Sequence, residues 1–340
     1  MAGPGLITTR DYIHTIEKQA AWDTAIDSTS TGLPIETMEI KQPPGNMTVP
    51  HSSGTRSLSE ISTYNDISGV ISTATMSVMP VTPELMTLIM PGILQHNGAT
   101  GSGGWVASPA NVFTMFPNEV AALPLMRDSG EGSFYTLVRT HPTNSTTSDR
   151  IINALPTSMK LAIHPTDDNG VLVFKPIEWI GQGYTNSVNP GATVTQAPLS
   201  VLYKWSTIFA FSVDGNAMTN DFFSMEIDLS YGAKYQFDTI NGDAVFPEFT
   251  CGGTFVVAKN ANTEALKDAC HTDVVSNAIA ILLQWGDGTV SASGELNLTL
   301  YAYLRDYDIT YEDGEQITFT FEGCLASAGE YPFSSKHFDD

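Results

Sequence analysis

Strict alternation of apolar and polar residues dominates the periodic stretches of this 340-residue sequence. In FSMEIDLS, residues 223–230, every apolar residue is followed by a serine or an acid. Because successive side chains of a strand point to opposite faces of its sheet, a period of two indicates a half-buried strand. The pattern recurs in residues 159–163, 296–302 and 317–321. The sequence therefore predicts a mainly β protein whose sheets pack as sandwiches or partial barrels.

Few stretches favour a helix, and each of them is short. Residues 82–84, TPE, have the features of a helix start, an apolar face follows, and Pro91 is expected to end this helix. Residues 262–264, NTE, predict a second start with a thinner apolar face. Thr9 predicts a third helix, with Tyr12 and Ile16 on its apolar side.

The order strand, helix and closing hairpin occurs twice along the chain. ISTATMSVMPVTPELMTLIM (71–90) and FTCGGTFVVAKNANTEALKDAC (249–270) both lead from an apolar strand into a capped helix. Residues 150–181 and 294–323 then each give a strand, an acidic turn with glycine, and a second strand. We interpret this shared order as the duplication of one domain.

The duplication sets the expected domain organisation. We expect two tandem β-sandwich or partial-barrel domains, each with one short flanking helix. The predicted segments are an N-terminal arm (1–33), a first domain (34–182) with a loop insertion at about 94–147, a linker (183–204), a second domain (205–326) and a C-terminal tail (327–340). The insertion contains NGATGSGG (97–104), whose glycines and small polar residues predict a long loop.

The charge is strongly negative, with 37 acids against 15 bases and a formal net charge of −22. More than half of the acids lie from Asp221 onward. Tight binding of nucleic acid requires clustered lysine and arginine, so it is disfavoured. An acidic surface would instead repel another polyanion and keep it from sticking.

No arrangement of residues typical of an enzyme or of a metal site stands out in the sequence. The seven histidines lack the spacing of a zinc site, and GSGG (101–104) is not followed by the lysine of a phosphate-binding loop. The three cysteines are odd in number and do not suggest a disulfide framework. We therefore predict a non-enzymatic protein without a cofactor or a metal.

No stretch approaches the roughly 18 apolar residues that a membrane-spanning helix needs. The first residues, MAGPGLITTRDYIHTIEKQ, also lack the apolar core of a secretory signal. We expect no membrane insertion, and synthesis and assembly in a reducing cytoplasm.

Several of these segments together resemble one known family. IEKQAAWDTAIDSTSTGLPIETMEI (16–40) resembles the opening of the tail tube proteins, or major tail proteins, of long-tailed, non-contractile bacteriophages. GVISTATMSVMPVTPELMTLIM (69–90) is similar to the sheet strand and flanking helix of that family, and the hairpin ending in IEWIG (177–181) resembles its final strands. The resemblance extends from about residue 16 to residue 326 and depends on the order of elements.

The resemblance implies a structural protein of the virion. Subunits of this family assemble into rings whose sheets join edge to edge, and the rings stack into a tube through which viral DNA is ejected. A duplicated domain implies that three chains form a ring with pseudo-six-fold symmetry. The implied partners are other copies of the chain, a tape measure protein, a tail terminator and distal tail or baseplate proteins, while DNA passes without specific binding.

The resemblance also suggests which residues line the channel. The polar faces of strands 222–230 and 294–304 are expected to face the lumen, with Glu226, Asp228 and Glu295 among their acids. The insertion and the N-terminal arm are expected to make contacts between stacked rings, the insertion through the residues Asn97, Gly98, Gly101 and Trp105.

Two other functions remain open on the sequence alone. A capsid decoration or baseplate subunit of β-sandwich type would also be acidic and non-catalytic. A carbohydrate-active β protein would need paired carboxylates beside aromatic platforms, and no such pairing is apparent in the sequence.

Overall fold

The computed structural model describes most of the chain. The described residues are 12–19, 29–41, 47–50, 61–64, 71–94, 105–107, 112–117, 133–141, 144–186, 193–197, 199, 201–232, 234–236, 243–245, 249–271, 278–286, 290, 294–311, 315–326 and 330–338.

Strands dominate both halves of the chain, as the alternation predicts. The elements of the first half are β1 (Ile13–Lys18), β2 (Thr29–Gly32), β3 (Met38–Lys41), β4 (Met47–Pro50), β5 (Ile61–Tyr64), β6 (Ser72–Met76), β7 (Met79–Pro80), α1 (Pro83–Ile93), β8 (Trp105–Ala107), β9 (Val112–Met115), β10 (Tyr135–His141), β11 (Asn144–Ile163), β12 (Val173–Asn186) and β13 (Thr193–Gln196). Those of the second half are β14 (Ile208–Val213), β15 (Asn216–Ala217), β16 (Phe222–Ser230), β17 (Lys234–Gln236), β18 (Asp243–Val245), β19 (Thr250–Ala258), α2 (Ala261–His271), β20 (Ile279–Trp285), β21 (Leu296–Thr310), β22 (Gln316–Gly323) and β23 (Ser334–Phe338). The prediction of a mainly β fold with short helices is confirmed.

The same pairing order occurs in both halves. In the first, which we call unit 1, the strands pair in the order β1-β10-β11-β12-β6-β3, and α1 follows β6 and β7. In the second, unit 2, the order is β14-β20-β21-β22-β19-β16, and α2 follows β19. Every one of these pairings is antiparallel. Six strands and one helix therefore recur with the same connections, as a duplication requires.

The two units are joined through their sheets. The second part of β11 pairs antiparallel with β16, with Lys160 opposite Asp228 and Leu161 opposite Ile227. The apolar cores of the two units also form one continuous cluster, with the buried Trp179 in unit 1 and the buried Trp285 in unit 2. The units thus share both a sheet and a core.

The two helices begin close to where the sequence predicts. The Thr82 hydroxyl accepts a hydrogen bond from the Leu85 amide at 3.3 Å, which confirms this N-cap. Helix α1 continues through Pro91 to Ile93, so the predicted end was wrong: a proline in the last turn removes only one amide donor. In α2 the cap is Asn260, whose side-chain oxygen accepts hydrogen bonds from two amides of the first turn at 2.9 and 3.1 Å.

Both ends of the chain differ from the prediction. Residues 13–18 form strand β1, not a helix, and β1 pairs with β10 and β2 inside the sheet instead of lying in a separate arm. Residues 334–338 form β23, which pairs with β21 on one side and β9 on the other. The sequence signal was weak because the side chains that β23 buries, Ser335 and His337, are polar.

The predicted insertion also contains regular structure. Its last residues form β10 and the start of β11, two central strands of unit 1, while β8 and β9 pair with each other. The insertion therefore includes part of the sheet, and the prediction of one long loop was wrong for these residues.

Candidate functional site

Eight strands form one uninterrupted antiparallel sheet across both units. Their order is β3-β6-β12-β11-β16-β19-β22-β21. One face of this sheet is apolar and packs into the core, with Trp179, Leu161, Ile227 and Phe319 on it. The other face carries threonine, serine and charged side chains, and we call it the polar face. The core side is also the side of the helices, since α1 contacts β11 and α2 contacts β21.

Cross-strand rows order the polar face. One row places Glu39, Thr75, Glu178, Ser158 and Ser230 opposite one another on five successive strands. A second row runs through Glu226, Thr254, Thr320 and Asp306 on the strands of unit 2. Direct cross-strand neighbours lie about 4.5–5.5 Å apart, so each row is a line of side chains in contact.

A compact ionic cluster lies on the polar face where the two units meet. Lys160 of β11 donates to Glu226 Oε2 at 2.8 Å, and Lys175 of β12 donates to Glu226 Oε1 at 2.9 Å. The Lys160 ammonium also lies 3.3 Å from Asp228 Oδ1. Both carboxylate oxygens of Glu226 are therefore bound by lysines from unit 1. We call these four residues the junction cluster.

The junction cluster favours the charged forms of Glu226 and Lys160. Partial burial opposes ionisation of Glu226, but the hydrogen bonds and charges of the two lysines outweigh this cost, and the net effect lowers its pKa. The hydrogen bond from Lys160 to Glu226 is the main reason that the pKa of Lys160 is raised. Two positive and two negative charges thus compensate one another across the junction.

A depression of about 440 Å³ lies over the junction cluster. Ser158, Lys160, Lys175, Glu226 and Asp228 are among its lining residues. The charged groups that line the depression form ion pairs with each other. Among the residues that the structure describes, no group of three or more histidine, cysteine, aspartate or glutamate side chains could hold a metal ion.

The eight-stranded sheet has an open edge at each end, within the described part of the chain. At one end β3 pairs with β6 alone, and the Met38 carbonyl accepts a hydrogen bond from Arg139 at 3.5 Å. At the other end residues 308–310 of β21 pair with β22 alone. There the Ile309 amide donates to the Asp308 side chain at 2.8 Å instead of to a neighbouring strand. Unpaired edges of this kind are templates for strand addition.

The structure brings together two of the three predicted lumen acids. Glu226 and Asp228 lie two residues apart on the polar face, inside the junction cluster. Glu295 lies just before β21, at the end of this strand that pairs with β20 and β23. It is seven residues from Ala302, where the pairing with β22 begins, a distance of about 23 Å along a strand. Glu295 is therefore remote from the cluster.

The predicted ring-contact residues are placed only in part. Asn97, Gly98 and Gly101 lie outside the described residues. Trp105 begins β8 and pairs with Met115 of β9, so at this position the chain forms a strand and not a loop.

The lysines of the junction cluster were not identified from the sequence. The alternation of residues 158–163 places Lys160 on a polar face, and this signal was present. The pairing of β11 with β16 joins residues 66 positions apart, as the contact of Lys160 with Glu226 shows. Periodicity within one strand gives no information about such a partner.

No family model and no curated protein matches this sequence. In the described part of the chain, no helix is long and apolar enough to cross a membrane.

Proposed function

We propose that this protein is a structural subunit that assembles into stacked rings and forms the tail tube of a long-tailed, non-contractile bacteriophage. The observation that carries the proposal is the junction between β11 and β16, where two copies of one folding unit already join edge to edge within a single chain. A unit that pairs with its own duplicate in this way can continue the same pairing from chain to chain.

Ring closure follows from the two open edges. Each chain would supply two units, so three chains would supply the six units of a pseudo-six-fold ring. Closure of the ring would also cover the edges of β3 and β21, which otherwise promote uncontrolled aggregation.

The two faces of the sheet support a definite orientation in the tube. The helices and the core lie on one side, so the polar face would line the channel. Its glutamates and aspartates would repel the phosphates of DNA, and its two clustered lysines are bound by Glu226 and Asp228. DNA could then pass without being held, as ejection into a host cell requires.

The remaining partners of the proposal follow from a tube with two ends. Its lumen would be filled before ejection by a tape measure protein, and its ends would contact a tail terminator and distal tail or baseplate proteins. The location would be the virion tail, after synthesis and assembly in the host cytoplasm.

Negative-stain electron microscopy of the purified full-length protein tests the proposal. We expect rings or tubes with a central channel, and an excess of tubes at high protein concentration. Single particles that stay monomeric at all concentrations would contradict it and favour a decoration or baseplate role.

A further inference from the structure

Strand β21 of unit 2 has an open edge, and the equivalent edge of its counterpart in unit 1, β11, is occupied by another strand. On one side β11 pairs first with β10, through residue 154, and then with β16, from residue 158. On the equivalent side β21 pairs first with β20, through residue 302, and its last residues have no strand beside them among the described residues. The strand that occupies this position beside β11 is β16. The counterpart of β16 in the pairing order of unit 1 is β3.

We propose that β21 of one chain pairs antiparallel with β3 of a second copy of this chain, with Ile309 opposite Ile40 and Asp308 opposite Lys41. This inference rests on the proposed ring assembly and names the contact that would close the ring. The register is obtained from the two units themselves, in two steps.

The first step aligns β11 with β21. Met79 and Val257 each lie four residues before the first residue of a helix. The cross-strand row from Met79 passes through β12 to Leu161, and the row from Val257 passes through β22 to Ile309. Leu161 and Ile309 are therefore equivalent, which makes Asp308 the counterpart of Lys160.

The second step aligns β3 with β16. Counting back along the chain from Met79, Ala74 is the second residue that faces the core. Counting back from Val257 in unit 2, the second such position is Gly253. Ile40 is opposite Ala74, and Ile227 is opposite Gly253. Ile40 and Ile227 are therefore equivalent, and Lys41 is the counterpart of Asp228.

The charges at these equivalent positions are also complementary, but the strand that carries the lysine and the strand that carries the aspartate are exchanged. Inside the chain a lysine on β11 meets an aspartate on β16, since Lys160 lies opposite Asp228. Between chains an aspartate on β21 would meet a lysine on β3. Both junctions thus gain an ion pair at the same place, although their signs are exchanged.

The exchange of signs would also prevent incorrect pairing. If the edge of β21 met a β16-type edge, Asp308 would face Asp228, and if the edge of β11 met β3, Lys160 would face Lys41. Like charges directly opposite each other destabilise a strand pair. The pattern therefore favours strict alternation of the two units around the ring.

The side chains needed for the contact are at the surface. The Lys41 side chain is 66% exposed, and its nearest ionic partner is Glu39 of the same strand, at 3.4 Å. Asp308 is exposed as well, and its carboxylate covers the Ile309 amide. Strand addition would release this amide to a carbonyl of the second copy, so the present hydrogen bond is a replaceable one.

Disulfide trapping of the double variant Asp308→Cys, Lys41→Cys tests the register. The Tyr231 amide donates to the Thr157 carbonyl at 3.1 Å, so by alternation Lys160 and Asp228 form a non-hydrogen-bonded pair. The Cα atoms of such a pair lie about 4.5 Å apart, within the range of a disulfide. The variant is made with Cys270→Ser and Cys324→Ser, assembled and then oxidised with diamide.

We expect covalent dimers and trimers on a non-reducing gel, with no larger product, because the third bond closes the ring. The matched control is Asp308→Cys, Glu39→Cys, which is two residues out of register. Its Cα atoms would be about 7–8 Å apart, too far for a disulfide, so the covalent yield should fall at least about tenfold.

A second pair of variants tests the charges. Asp308→Lys alone should weaken ring formation about fivefold or more at low salt, and Asp308→Lys with Lys41→Asp should restore it. Asp214→Lys, at an exposed turn far along the chain, is the control that should leave ring formation unchanged.

The outcomes separate the inference from the proposed function. Rings by microscopy without the disulfide-linked product of the double cysteine variant, or without rescue by the charge exchange, would overturn the β21–β3 register and leave the ring proposal intact. Absence of both rings and cross-linked product at high concentration would overturn both.

Discussion

At the scale of single residues, the junction cluster shows how two folding units are held in register. Lys160 and Lys175 from unit 1 meet the carboxylate of Glu226 from unit 2, and all three side chains are about one third exposed. Water therefore screens their attraction, and the cluster contributes more to the specificity of the junction than to its strength.

Glu226→Gln should destabilise the protein by about 1 kcal/mol, because Lys160 and Lys175 would lose the carboxylate that they share and Asp228 alone of the cluster's acids would remain, beside Lys160. Part of this loss should disappear in 1 M salt, which screens the repulsion. Glu178→Gln is the control: its carboxylate accepts an exposed hydrogen bond from the Ser158 hydroxyl at 3.2 Å, and we expect a change within about 0.5 kcal/mol. Urea unfolding at two salt concentrations measures both. An equal effect of the two substitutions would contradict the role of the cluster.

Two buried histidines should make the protein sensitive to acid. Burial lowers the pKa of His337 to about 3, and burial together with the Arg139 charge lowers the pKa of His14 to about 4. Both bind a proton more readily in the unfolded chain, whose histidines have a pKa of about 6.5. The contribution of these two histidines to the free energy of unfolding is thus fully present above pH 6.5. It falls as the pH drops from there toward 4, by up to about 1.4 kcal/mol per pH unit for each histidine.

His337→Gln should reduce the contribution of these two histidines to the slope by about half, because His14 alone of the two would remain to take up a proton between pH 6.5 and 4. The glutamine oxygen can replace the ring nitrogen that lies 2.9 Å from the Thr87 hydroxyl. Urea midpoints at intervals across this pH range provide the measurement. An unchanged slope in the variant would show that His337 does not titrate as described.

At the scale of secondary-structure elements, local signals and long-range pairing differ in how far the sequence reveals them. Strand β16 and the start of α1 were predictable because alternation and capping depend on neighbouring residues. Strand β1 was mistaken for a helix because Tyr12, Ile13 and Ile16 imitate a helical spacing. Its actual structure is set by β10, whose residues lie more than a hundred positions away.

The same distinction applies to the candidate site. Glu226 and Asp228 were identified because they lie on the polar side of an alternating strand. Glu295 was grouped with them because it precedes a similar strand, but β21 is long and its two parts pair with different neighbours. The register between strands is a tertiary property, and one sequence does not encode it locally.

The N-caps of the two helices provide a matched pair of tests. Thr82→Ala should cost about 1 kcal/mol by removing the hydrogen bond to the Leu85 amide. Asn260→Ala should cost a similar amount in unit 2, where the Asn260 side chain accepts hydrogen bonds from two backbone amides. Thermal unfolding measures both, with Thr207→Ala at an exposed turn as the control. A neutral Thr82→Ala would contradict the cap.

The C-terminal strand should contribute strongly to stability, although it was predicted to be a tail. Phe333, just before β23, is fully buried, and Phe333→Ala should cost about 3–5 kcal/mol. Leu325→Ala is the control, since Leu325 is 61% exposed and should lose less than about 0.5 kcal/mol. Denaturant unfolding distinguishes them. Similar small effects for both would mean that the segment is not part of the core.

At the scale of the whole molecule, duplication accounts for the main features of the architecture. Two units with the same pairing order share one sheet, and this sheet keeps a polar face on the side away from both helices. The two open edges of this sheet belong to β3 and β21. Their counterparts in the other unit, β16 and β11, already pair with each other inside the chain. Repetition of that contact between chains would give the closed ring on which the proposed function depends.

Cryo-electron microscopy of the assembled protein is the sharpest test of this ring. We predict three chains in each ring, with Glu226 and Asp228 on the wall of the channel, both helices outside, and β21 of each chain beside β3 of the next. A ring with another number of chains, or with the polar face on the outer surface, would contradict the proposed assembly.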